Sequence, residues 1–330
     1  MLRGCYVKAV SQVSCQKPLS DRWMDSPEFF DEGYIRSQEP SVKEVIPPAE
    51  ARRMGKVLKR AIATSDAVLK EAHIGIPDAI ITGTAMGCME NSEKFLEDLS
   101  HFGENCLKPS LFMQSTHNTI SSWIGIFLKC HGYNNTYSHK GLSFESALLD
   151  AWIQIRSGEI NNALVGAQDE VTPLMSEILR TTHPEYSFIT ETSVSAILSN
   201  SREGNLCEID LIELLHEPPI DSLIELIKAS SPDYLLLGLN GNKRNDDFYQ
   251  DIISKLSPRI SVLQYKNIFG DNFSSSAFGF YSGCRILEKQ QLPDEMAYRT
   301  SVQPEHGIDK IIVLNHTEGK SWGLVSLKRV

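Results

Sequence analysis

Between Asn118 and Glu170 the chain reads as five consecutive pieces whose order decides the fold. Ser115–Lys129 is an apolar helix, stopped by His131-Gly132-Tyr133. A short strand then leads into the turn Thr136-Tyr137-Ser138-His139-Lys140-Gly141. After it, Leu142, Phe144, Ala147, Leu148, Ala151, Trp152 and Ile155 predict a long helix. Its polar residues are few and mostly small, which suits a helix buried between two layers. The strand Ala163-Leu164-Val165-Gly166-Ala167 follows, ending in Gln168-Asp169-Glu170.

Outward from this stretch the chain keeps alternating strand and helix, which predicts βαβ units and a mainly parallel sheet. Gly4–Val13 is strand-like, and the polar stretch Asp21–Ser41 shows little periodicity. Pro47-Pro48 precedes a helix predicted from Ala49 to about Glu71, whose residues Met54, Val57, Leu58, Ala61, Ile62, Ser65, Val68 and Leu69 share one face. Ala79–Thr84 is a buried strand, and Ser187–Leu198 a strand pair. A second half repeats the rhythm: strand Ile209–Leu215, helix Asp221–Ser230, strand Tyr234–Gly238, helix Phe248–Lys255, extended Ile260–Tyr265, helix Ser274–Leu287. Ile311–Leu314 and Trp322–Arg329 form a closing hairpin. The expected division is residues 1–203 and a shorter 204–330. An old duplication and two unrelated α/β segments both fit the periodicity.

The chain has 330 residues, 41% hydrophobic and 22% charged, ordinary for a soluble globular protein. A formal net charge of −10 argues against nucleic-acid binding, which needs a basic footprint. The local basic run Arg52, Arg53, Lys56, Lys59 and Arg60 reads as a solvated helix face, or as a site for an acidic partner. No segment has the layout of a signal peptide and no apolar run approaches a membrane span, so a cytoplasmic location is expected. The seven cysteines (Cys5, Cys15, Cys88, Cys106, Cys130, Cys207, Cys284) form no CxxC pair and read as reduced thiols. No cofactor or metal site is indicated. Gly238–Gly241 is too short for a phosphate cradle. The tripeptides at Asn134, Asn272 and Asn315 match the glycosylation pattern, which carries no meaning in a cytoplasmic chain.

The run Gln114-Ser115-Thr116-His117-Asn118-Thr119, Gly132, the long helix, Gly166, and Ile46-Pro47-Pro48-Ala49 with Arg52-Arg53-Met54 resemble the thiolase-fold β-ketoacyl synthases. The likeness is greatest to their chain-length-factor-like branch of pigment and aryl-polyene type clusters. It implies an α/β thiolase-like fold, with two similar βαβ-containing halves in a layered αβαβα arrangement. It also implies a dimer, either with an active ketosynthase subunit or with itself, and dealings with an acyl carrier protein.

Enzymes of that family use a Cys-His-His constellation. A thiolate at a buried helix N-terminus, its pKa lowered there, attacks an acyl thioester. Two histidines, helped by a lysine, stabilise the enolate formed on decarboxylation. Ungapped counting from Gly166 puts Gly141 at the cysteine position, and a slip of a few residues puts Lys140 or Ser138 there. Asn240, in Asn240-Gly241, stands for the first histidine; its amide donates a hydrogen bond but shuttles no proton. Asp271, five residues after the retained Lys266, stands for the second; an ionised aspartate only accepts hydrogen bonds, so a Lys266–Asp271 ion pair is expected as a structural substitute. The family's Gly-Glu-Gly-Ala strand reads Thr190-Glu191-Thr192-Ser193, and its Gly-Phe-Gly-Gly loop reads His316-Thr317-Glu318-Gly319-Lys320. Side chains there would crowd an oxyanion hole.

The expected function is therefore a catalytically silent ketosynthase-like subunit that shapes a partner's acyl tunnel, with Phe112, Met113 and Thr116 as tunnel contacts. The alternatives are an acyltransferase or condensing enzyme with Ser138 as displaced nucleophile, and a homodimeric binder of carrier-linked chains that docks through Arg52–Arg60. His117, His131 and Cys88 read as structural: a helix-start histidine bonded to nearby backbone, a helix-end histidine and a loop thiol.

Overall fold

The computed structural model describes residues 2–300 and 306–330, without the side chains of Asn105 and Cys106. Cys106 thus lies outside the described side chains; the six other cysteines are free thiols. The first half runs β1 (Tyr6–Val13), α1 (Lys56–Glu71), β2 (Ala79–Gly83), α2 (Thr119–Leu128), β3 (Tyr133–Tyr137), α3 (Ser143–Ser157), β4 (Asn162–Asp169) and β5 (Thr192–Ser199). The second half runs β6 (Cys207–His216), α4 (Ile220–Ser230), β7 (Tyr234–Leu237), α5 (Lys243–Lys255), β8 (Ser261–Gln264), α6 (Ser276–Lys289), β9 (Lys310–Thr317) and β10 (Ser321–Lys328).

The two halves have one topology. Their strands lie side by side as β3-β2-β4-β5-β1 and as β8-β7-β9-β10-β6, the same order by position in the chain. In both, the first three neighbours pair in parallel and the last two pairs are antiparallel. A short antiparallel contact of Tyr6 and Val7 with Glu208 and Cys207 joins β1 to β6. The sheet is therefore mixed rather than mainly parallel. β10 returns from β9 by a tight hairpin, and β5 runs back antiparallel to β4 after the helix Pro173–Thr182.

Three apolar clusters mark the layers. α1 and α2 cover one face of the first half through Val57, Leu58, Ala61, Ile62, Ile120 and Ile124. α4 and α5 cover the outer face of the second half through Leu223, Ile227, Ile252 and Ile253. Between the two halves lie α3 and α6, with Phe144, Leu148, Ala151, Phe278, Phe280 and Leu287 packed against inward residues of both, such as Ile81, Val165, Leu236 and Val313. This is the expected αβαβα stack, and the buried α3 is the helix its apolar sequence predicted.

Two helix boundaries differ from expectation. Pro48–Ala51 is a separate turn, and α1 starts only after Gly55, its N-cap residue in extended conformation. Ser115–Lys129 divides into Pro109–Ser115 and α2, because Thr116 leaves the helical conformation. Arg60, read as part of a solvated face, is fully buried on α1 and bonds Glu191 at 2.8 Å. Arg52, Arg53 and Lys56 are exposed.

Candidate functional site

The site forms where α3 begins. Lys140–Leu142 makes one tight turn, and Lys140, not the glycine, adopts the left-handed backbone at φ 47°. The Ser143 hydroxyl ties the turn down, accepting from His139 N at 2.8 Å and donating to Lys140 O at 2.7 Å. Gly141 is required by crowding: a Cβ on it would lie 2.2 Å from Thr317 Oγ1, at the end of β9. Asn315, two residues earlier on β9, donates its amide to Gly141 O at 3.1 Å and to Glu145 Oε1 at 3.4 Å. The β9–β10 hairpin thus clamps the helix start. A cysteine side chain at Gly141 would have to displace Thr317.

The other three positions taken from the resemblance do converge. Lys266 begins the short helix Lys266–Phe269 after β8, and its Nζ lies 2.9 Å from Asp271 Oδ1, with both residues buried. This is the expected ion pair. Asn240, in the loop after β7, donates Nδ2 to Asp271 Oδ2 at 2.9 Å. The Ser187 amide and hydroxyl donate to the same oxygen at 2.9 and 3.0 Å. Asp271 Oδ2 thus accepts from three donors, while Oδ1 faces the Lys266 ammonium. In this arrangement it supplies neither an acid nor an enolate donor.

Gly141 and Lys266 line one cavity of about 210 Å³, together with His183, Arg244, Phe248, Asn315 and His316. His316 is neutral: burial, then the nearby Lys266, pushes it down to about 3. Its ring is fixed by Asn245 O at 3.1 Å from Nε2 and by the Gly319 amide donating to Nδ1 at 3.2 Å. That leaves it no free nitrogen for proton transfer. His183 pairs with Glu185 at 2.9 Å and stacks on Tyr186. Glu145, which accepts from the cavity residue Asn315, is pushed up to about 7 by burial. Sequence reasoning missed Glu145, His183 and Asn315. The signal for Glu145 was an acid near the start of an otherwise apolar helix; nothing in the sequence placed the other two.

The remaining candidates stand apart from the cavity. Ser138 is exposed, and the His139 ring meets Ser146 Oγ at 3.1 Å instead of serving as its base. His117 lies 3.1 Å from Ala85 O, the expected backbone bond of a helix-start histidine. His131 is exposed. Cys88 is buried and pushed up to about 12 by that burial, so it is an inert thiol. Glu191 bonds Arg60 and the Ser37 amide. Phe112 and Met113 are exposed, and Thr116 shares a hydroxyl contact with Thr119 at 3.0 Å. Among the described residues no His, Cys, Asp and Glu cluster fits a metal ion, and no helix is long and apolar enough to cross a membrane.

Solved structures share this architecture. One is a type II PKS acyl-carrier protein in complex with its ketosynthase bound to the hexaketide, with a TM-score of 0.80 at 11% identity over 100% of both chains. The ishigamide ketosynthase/chain length factor gives 0.76 at 13% identity, again over 100% of both. The ketosynthase ApeO in complex with its chain length factor ApeC from Xenorhabdus doucetiae gives 0.72 at 14%, over 99% of this chain and 98% of that one. At such identities the likeness is one of fold. No curated protein matches the sequence. The family model of the beta-ketoacyl synthase N-terminal domain matches residues 22–208, more than half of the chain, and by that match the chain belongs to the beta-ketoacyl synthase family.

Proposed function

We propose that this chain is a catalytically silent ketosynthase-like subunit of chain-length-factor type. It pairs with an active ketosynthase in fatty-acid, polyketide or aryl-polyene and pigment-type biosynthesis, in the cytoplasm. The observation that carries the reading is the seat of Gly141. The helix start that would hold a nucleophile has no side chain, and Thr317 occupies the space of one. The closed Lys266–Asp271–Asn240 network supports it, since those groups bind one another and not an enolate. A ketosynthase fold with these positions filled in this way is what a shaping subunit requires. Phe112 and Met113, exposed on Pro109–Ser115, are the side chains we assign to the partner's tunnel, with Thr116 beside them. Arg52, Arg53, Lys56 and Lys59 border one groove with Lys94, a cationic surface on an acidic chain that suits an acidic carrier protein.

Native mass spectrometry of the protein purified gently from its own cells tests this. A one-to-one complex with a cysteine-bearing ketosynthase is the expected result. A homodimer carrying an acyl adduct would overturn it and favour the second reading, a condensing enzyme acylated at Ser138 and abolished by Ser138→Ala.

A further inference from the structure

The open edge of the sheet carries a charge that a second copy of the chain does not answer. β3 bonds β2 along Ala79↔Tyr133 to Gly83↔Tyr137, and its other side is an edge among the described residues. Ile126 of α2 and Ile153 of α3, on the two helices that pack against β3, are 68% and 51% exposed, and Tyr133 on the strand is 42% exposed. An unprotected strand edge rimmed by exposed isoleucines is built to be covered.

Asp150 sits one turn before Ile153 on α3. Its Oδ2 accepts from Tyr133 OH at 3.0 Å and its Oδ1 from Gln154 Nε2 at 2.8 Å. Asn135 donates in turn to Tyr133 OH at 3.0 Å. At the far end of the strand the Tyr137 phenol is pushed up to about 12, by burial first and by Asp150 next. Tyr133 and Gln154 thus hold one half-buried carboxylate, with Tyr137 near it, and both groups that bond it are neutral.

Self-pairing of identical edges is isologous. Antiparallel pairing of the full strand puts Asn135 opposite the Asn135 of the second copy. Tyr133, Asn135 and Tyr137 share one face by the strand's period of two. Asp150, bracketed by the two tyrosines, therefore lies over the middle of the strand, near the two-fold axis. Strands pair about 4.8 Å apart, so such pairing brings the two Asp150 carboxylates, one on each α3, to the same face of the seam. The exposed Lys140 lies in the turn beyond the strand end, at most about 16 Å from Asn135 at about 3.3 Å per residue. It sits past the end of the strand and not over its middle.

We infer that Asp150 selects the partner: it disfavours a second copy and takes a lysine or arginine presented by a different chain of the same fold. The inference rests on the subunit reading for that partner's identity, but not for the exclusion of self. Its test mixes tagged wild-type chain with an untagged Asp150→Lys copy and follows sedimentation of each alone and together at pH 7.5. The mixed pair is expected to associate at least tenfold more tightly than either chain with itself. Asp150→Asn is expected to strengthen self-association by a similar factor, and to loosen tenfold any complex with a copurified ketosynthase. Circular dichroism checks that each variant is folded. A mixed pair without any copurifying ketosynthase sinks the subunit reading and leaves the exclusion standing. Wild-type self-association as tight as that of Asp150→Asn, with no preference for the mixed pair, overturns the inference.

Discussion

Glu145 and His316 are both uncharged at neutral pH or close to it, and they strain the fold from opposite sides of the pH scale. Burial raises Glu145 from 4.5 to about 7, so the unfolded chain loses that proton before the folded one does. Its contribution is complete below pH 4.5 and is lost as pH rises through 7. At about 1.4 kcal/mol per unit this amounts to roughly 3 kcal/mol. His316, lowered from 6.5 to about 3, works the other way: its contribution is present above pH 6.5 and is lost as pH falls through 3. Between pH 4.5 and 6.5 the two nearly cancel. The stability of Glu145→Gln relative to wild type should therefore rise with pH, by roughly 3 kcal/mol from 4.5 to 7. Urea midpoints at four pH values measure this, and a difference that stays flat removes the argument. Of this region the sequence made Lys266–Asp271 legible, because a five-residue spacing around a turn brings opposite charges together. The pressure of Thr317 on Gly141 was not legible, since 176 residues separate them and only the β9–β10 hairpin joins them.

At the scale of elements, α1 shows where reading by pattern stops. Its stripe of Val57, Leu58, Ala61, Ile62, Val68 and Leu69 was evident from spacing alone. Arg60 lies beside that stripe, and a cation there reads as the edge of a solvated face. The chain instead folds residues 34–39 and the start of β5 over it, so three acids reach it: Glu191 at 2.8 Å, Glu39 at 3.6 Å and Glu170 at 4.0 Å. Those acids come from segments without periodicity or from strand ends, where sequence gives no hint of direction. The helix start moved for a local reason: Gly55 ends the Arg52–Met54 turn and frees α1 to set its own axis. Because Arg60 is buried among carboxylates, Arg60→Ala strands at least one unpaired charge and should cost about 3–5 kcal/mol. Adding Glu191→Gln should recover part of that loss. Denaturation of the single and double variants checks this; a cost under about 1 kcal/mol would mean that the acids find water instead.

For the whole molecule the question is whether two halves of one topology are two folding units. The repeat of strand order and the break between β5 and β6 favour two units. The middle layer favours one. α3 belongs to the first half yet packs on β6, and α6 belongs to the second yet packs on β1 and β5. Arg285 of α6 binds Glu71 at 3.0 Å and Val10 O at 2.7 Å, both in the first half. Trp23, from the non-periodic stretch Asp21–Ser41, is buried against Phe269 and Tyr281 of the second half. Separating the halves exposes one face of each central helix, apolar area worth about 25 cal/mol per Å² that nothing else covers. Residues 1–203 and 204–330 made separately should each keep secondary structure while lacking fixed aromatic packing, and mixing them should restore it. Near-ultraviolet circular dichroism of each fragment and of the mixture reads this directly. The full chain should unfold in one transition, with fluorescence and far-ultraviolet signals coincident. A first-half fragment with its own cooperative transition would show that the sheet and α1–α2 suffice, and that the shared layer holds together two domains already formed.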